Sequence, residues 1–173
     1  MAYSADVTAG LTYVSSSDES GSTPPSKAFD DSLADASEWR AGATEIGALA
    51  NGVSYVGVNF GAGNEKEIRR ISIRQGRNGA GSRYVTSVLF QSSSDGAAWT
   101  TRATINSLTA GDNNDKDIGA SAAYQYWRFL ANSAEQSGVD TWVVVEAEMK
   151  IILANVGSGL TTGLKLERLR LVA

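Results

Sequence analysis

Apolar residues in this chain come in short runs set between clusters of Gly, Ser, Asn and Asp, the pattern of β-strands punctuated by tight turns. Segments 55–60, 68–75, 85–92, 99–105, 124–130 and 142–153 read as strands. In the second of these, Ile68, Arg70, Ser72 and Arg74 share one side while Arg69, Ile71 and Ile73 share the other, which makes Ile71 and Ile73 the expected core positions. In the last, Val143, Val145, Ala147 and Met149 alternate with Trp142, Val144, Glu146 and Glu148. Strict alternation therefore predicts a carboxylate pair beside a tryptophan on one surface.

Between the strands, 15–27, 76–82 and 111–117 are rich in residues that tolerate or cap turns, and they read as surface loops. With 18 Gly, 2 Pro and 20% charged residues, and with no long helical periodicity, the expected fold class is all-β. A length of 173 residues at 42% hydrophobic content suits one domain with one core. After Asn155 comes a glycine-rich hinge and a leucine-rich, charged segment whose period fits neither strand nor helix.

Charge and composition then narrow the chemistry. A formal net charge of −4 removes the broad attraction to phosphate, so nucleic acid is not an expected partner. With 0 Cys and 0 His there is no disulfide, no thiolate metal site, no thiol nucleophile and no imidazole acid or base. No apolar run approaches the roughly 20 residues that cross a bilayer. The N-terminus, Met1 to Asp6, lacks the basic and apolar regions of an export signal. The expectation is a soluble protein that reaches the outside, if it does, by a non-classical route or in a virion.

Five motifs follow one another in order across residues 10–152: Ala28-Phe29-Asp30 with Trp39; Tyr55 to Phe60-Gly61; Ser93-Ser94-Asp95-Gly96-Ala97-Ala98-Trp99; Tyr126-Trp127-Arg128-Phe129; and Glu146-Ala147-Glu148. Together they resemble the discoidin family, the coagulation-factor C-type or galactose-binding-like domains that include carbohydrate-binding modules of many glycoside hydrolases. The resemblance implies an antiparallel β-sandwich of jelly-roll type with about eight strands. The chain departs from the family pattern at Asp31, where glycine is usual, at Asn59, where aspartate is common, and in a longer loop to Trp39. Residues 154–173 have no counterpart in the basic domain, and they are expected to form a C-terminal arm for attachment or oligomerisation beyond a domain spanning 1–153.

The resemblance also implies a structural calcium ion held by Asp30, Ser32, Ser37 and Glu146, with Asp31 or Asp35 as substitutes, an all-oxygen set of the kind a hard cation takes. The alternative is that Asp30 and Asp31 cap turns and Glu146 faces solvent. Trp39, Trp99 and Trp127 offer flat surfaces for a sugar, although in the family the positions of Trp39 and Trp99 more often pack the sandwich. Trp142 is expected either as an exposed platform or as a packed strand residue. Arg74, Arg77, Asn78 and Arg83 gather around the glycine-rich loop, where guanidinium forks suit sugar hydroxyls or carboxylates, or where the loop docks on a neighbour. Catalysis by Glu146 and Glu148 is not expected, because a small sandwich offers no deep cleft. The expected function is a non-catalytic carbohydrate-binding or adhesion module. The alternative is a structural subunit of a larger assembly, such as a phage tail or capsid decoration protein; the expected partners are a glycan or neighbouring protein subunits, with the chain a homo-oligomer or part of an assembly.

Overall fold

A computed structural model describes residues 2–34, 37–76 and 83–153. Among them, nine strands make two antiparallel sheets, and no α-helix occurs. One sheet holds β1 (Thr12–Ser15), β3 (Tyr55–Asn59), β5 (Ser87–Ser93), β6 (Thr100–Asn106) and β8 (Tyr126–Ala131), in the spatial order β1-β3-β8-β5-β6. The other holds β2 (Trp39–Arg40), β4 (Arg70–Gln75), β7 (Asn113–Asp117) and β9 (Val143–Lys150), in the order β2-β9-β4-β7. The all-β class expected from the strand pattern and the sandwich implied by the resemblance are the fold observed.

The core lies between the sheets and follows from the alternation. Ile71 and Ile73 point inward from β4 and are fully buried, as the sequence predicts. Val56, Val58, Val88, Phe90, Trp127 and Phe129 meet them from the five-stranded sheet. Phe90 stacks on Trp127 at 5.0 Å between ring centroids. The next inward position of β4 is a glutamine, Gln75, and it is completely buried. Its amide donates to the Val85 carbonyl at 2.6 Å, while its oxygen accepts the Val85 N–H at 3.2 Å and the Trp142 indole N–H at 2.7 Å. Each polar atom of the buried amide thus has a partner, which is the condition for tolerating it there.

Two sequence expectations are corrected. Trp142 is the packed strand residue and not the exposed platform, and it does not share a surface with the carboxylates: it is fully buried and packs edge-on against Trp39 at 5.6 Å. The cause is a break in alternation, because the β4–β9 register slips between Arg74, which faces Glu146, and Gln75, which faces Val144. An extra residue in one strand flips every position beyond it. Trp142 and Val144 therefore share the core with Ala147 and Met149, while Glu148 and Arg74 line the outer surface of the sheet. The second correction concerns 111–117, which reads as a loop but contains β7, paired along β4 from Arg70↔Asp117 to Arg74↔Asn113. An edge strand is held by its backbone ladder, and charged side chains such as Asp115, Lys116 and Asp117 protect that edge from further pairing.

The two ends of the described chain meet. Tyr3 bridges Ile152, the Ser4 N–H donates to the Ile151 carbonyl at 2.9 Å, and the Leu153 N–H donates to the Ala2 carbonyl at 3.0 Å. Strand β9 thus runs from a pole of loops, where Arg40 pairs with Val143, to a pole occupied by the chain ends.

Candidate functional site

A 3-10 turn, Pro25–Phe29, delivers Asp30 to the edge of the core, with Ala28 and Phe29 buried as its anchor and Phe29 stacked on Tyr13 at 5.3 Å. Asp31 follows in the left-handed region at φ 56°, a conformation Asp tolerates better than most residues. Asp30 Oδ1 accepts the Ser32 N–H at 3.1 Å, and Oδ2 accepts the Ser37 hydroxyl and lies 3.6 Å from Lys27 Nζ. Glu146, 114 residues away in sequence, accepts the same Ser32 N–H at 3.1 Å. The residues expected to hold a cation are therefore brought together; Asp35 lies outside the described residues. Nor does Glu146 face solvent: it is 7% exposed. Burial, reinforced by the charges of Asp30 and Asp31, pushes its carboxyl up to about 8.

In kind, these donors fit a hard cation, being carboxylate and hydroxyl oxygens around a carboxylate that its surroundings make costly to ionise. Among the described residues no three acidic side chains converge on one point, so an ion there would draw on Ser32, Ser37 and backbone carbonyls besides Asp30 and Glu146.

At the loop pole the structure assembles a second polar cluster. Arg83 Nε donates to Asp140 at 3.0 Å, and the Arg83 carbonyl accepts the Val143 N–H at 3.0 Å. Val143 pairs with Arg40, whose guanidinium bridges Glu19 at 2.8 Å and Glu38 at 2.6 Å. Glu38 is 1% exposed. The loop beneath is fixed from below: Trp39 donates its indole N–H to Asp18 at 2.9 Å, and the buried Glu45 accepts the hydroxyls of Ser16 and Ser17. Glu19, Glu38 and Arg40 belong to none of the five sequence motifs. Their signal was the alternation Glu38-Trp39-Arg40 around a tryptophan that anchors a strand. Arg77 and Asn78 lie outside the described residues, and so does the arm 154–173.

Arg74 has a different setting from Arg83. It lines a cavity of about 160 Å³ on the outer face of the four-stranded sheet, together with Ser72, Asn113, Glu146 and Glu148. Asp31 and Leu33 close one side. Of the remaining tryptophans, Trp39 and Trp127 are fully buried in the core, whereas Trp99 is half-buried with the Arg128 guanidinium 4.0 Å from its ring.

The sequence profile of the F5/8 type C domain matches residues 12–146. The chain belongs to the F5/8 type C domain family. No curated protein matches the sequence. Among solved structures, this F5/8 type C domain is similar to chitosan-binding module 1 of a chitosanase/glucanase from Paenibacillus sp. IK-5, at 23% identity and a TM-score of 0.62 over 83% of this chain and 97% of that one. Module 2 of the same enzyme, in complex with chitotriose, is similar at 20% identity and a TM-score of 0.61, covering 80% of this chain and 95% of that one. The family 32 carbohydrate-binding module of C. perfringens NanJ, in complex with galactose, is similar at 15% identity and a TM-score of 0.65, covering 87% and 100%. At these identities the likeness establishes the sandwich itself.

Proposed function

We propose that this F5/8 type C domain is a non-catalytic glycan-binding module that meets its ligand at the loop pole and carries one calcium ion beneath the Asp30 loop. The observation that carries the reading is the rim of preformed ion pairs, Arg83 with Asp140 and Arg40 with Glu19 and Glu38. Guanidinium and carboxylate groups already held in place can exchange partners with sugar hydroxyls at little ordering cost. The names of similar modules support it, since they record complexes with chitotriose, galactose and N-acetylgalactosamine-β-1,3-galactose. Glu146 accepts the backbone N–H groups of Ser32 and Ala147, an arrangement that ties a loop down instead of presenting an acid across a cleft. In such a site calcium would be held by Asp30, Glu146, Ser32 and Ser37, and it would supply the positive charge that lets Glu146 ionise.

A glycan array tests the reading. Binding to at least one glycan class is expected, weakened about tenfold or more by Arg40→Ala at a temperature where the variant is folded, the size of effect that follows when a buried charged contact is truncated. An array on which the protein binds no glycan would refute it.

A further inference from the structure

We propose that the cavity on the outer face of the four-stranded sheet is a second sugar subsite, one that takes a single uncharged pyranose ring. The inference goes beyond the loop pole and uses different residues. Its floor is set by strand register. Ile71, Ile73 and Gln75 point into the core, so Ser72 and Arg74 point out. Arg74 stands opposite Asn113 on one side and Glu146 on the other, and Ser72 stands opposite Glu148. Neighbouring positions across strands lie about 5 Å apart, so side chains of adjoining strands can reach hydroxyls on opposite sides of one sugar ring. The wall is the Asp30 loop, fastened to the floor because the Ser32 N–H is shared between Asp30 and Glu146.

Size, charge and polarity select the ligand. A volume of about 160 Å³ is below the ~300 Å³ where pockets for drug-sized molecules begin, and it suits one ring. The lining alternates donor and acceptor: Arg74 gives only, Glu148 as a carboxylate accepts only, and Ser72 and Asn113 do both. Such a surface matches vicinal hydroxyls, each of which both gives and accepts. Leu33, 54% exposed at the rim, offers an apolar patch to the C–H face of the ring. Lys150 sits 2.6 Å from Glu148, and Arg74 faces Glu146, so acids and bases are interleaved along the floor. A net-charged ring finds no uniform field there, and one that brings a carboxylate meets Asp31 and Glu148.

The test is a titration of the ¹⁵N-labelled chain with lactose, N,N′,N″-triacetylchitotriose and, as charged control, galacturonic acid, followed by amide shifts. For at least one neutral probe, saturable shifts are expected at residues 72–74, 113 and 146–148, with galacturonic acid at least fivefold weaker. Ser72→Tyr, which plugs the cavity from a surface position, and Glu148→Gln should each weaken that response at least fivefold. Arg40→Ala should leave it unchanged. The inference is overturned if these amides stay still with both neutral probes, if galacturonic acid binds equally well, or if neither cavity variant alters the response. A glycan-array signal that Arg40→Ala abolishes, with no response on the sheet, would remove this subsite and keep the loop pole.

Discussion

On the outer face of the five-stranded sheet the Arg128 guanidinium lies between two rings, 4.7 Å from that of Tyr55 and 4.0 Å from that of Trp99. On the outer face of the four-stranded sheet Arg74 stands over an open cavity among carboxylates. Among the described residues Arg128 has no ion pair; its Nε–H donates to Gln91 at 2.9 Å, and burial lowers its pKa from the usual arginine value. Gly57 is its cross-strand partner, and the absence of a side chain there leaves the space the stack fills. A charge covered by flat rings closes a surface. A charge balanced by acids on adjoining strands, with a loop rising beside them, leaves room for a ligand. The same sandwich thus has one face finished by its own side chains and one face left concave.

The largest test of this contrast is Gly57→Ala. A Cβ at that position would come within 2.2 Å of the Trp127 carbonyl oxygen and 2.8 Å of Arg128 Cα, both backbone atoms that cannot step aside. Overpacking of this kind costs about 3 kcal/mol, read as a lowered urea midpoint. An unchanged midpoint would show that the closed face is looser than described.

The concave face should answer to calcium and pH. Folding raises the Glu146 carboxyl from 4.5 to about 8, so between those values the folded state keeps a proton that the unfolded chain has released. Stability contributed by this group is present below 4.5 and is lost as pH rises toward 8. In chelator the melting temperature should therefore fall from pH 5 to pH 8, and Glu146→Gln should flatten that slope. Calcium at 100 times its dissociation constant should add about 2.7 kcal/mol at pH 8, where the carboxylate is available to it. A melting curve indifferent to both chelator and pH would remove the ion from beneath the loop.

Trp99→Ala carries the smallest expected change. Removing one ring of the stack should cost about 1 to 2 kcal/mol, the range for a partly desolvated cation–π contact. A larger loss would mean that the indole also supports the core, and no loss would mean that Tyr55 alone holds Arg128.

How much of this could be read from the chain depends on the range of the forces involved. Local rules served well. Ile71 and Ile73 are core because alternation over a few residues is reliable, and Ser93-Ser94-Asp95-Gly96 forms its turn for reasons contained within it. The Asp95 carboxylate accepts the Ala97 and Ala98 N–H groups at 2.8 and 2.9 Å, which hold its pKa at about 2, and Gly96 supplies a φ of 75°. The Asp30 loop was legible because its motif is compact, although its tie to Glu146 spans the chain. What failed was everything decided by pairing. Trp142 could not be assigned a side without knowing that the β4–β9 register slips by one residue. The polar run at 111–117 carries no apolar signal, and only the open edge of β4 makes part of it a strand. Arg40 and Glu38 flank a buried tryptophan as ordinary alternation would have them do, and their role at the rim emerges once Glu19 is folded back beside them.

The bridge between Tyr3 and Ile152 has a consequence for attachment. With eight residues rising about 3.3 Å each, β9 separates that junction by roughly 25 Å from the rim near Val143. Residues 2 and 153, where the described chain begins and ends, therefore lie on the side turned away from the Arg40 rim. Copies strung in series would hang like pendants on a cord, each free to present its rim without being shadowed by its own tether.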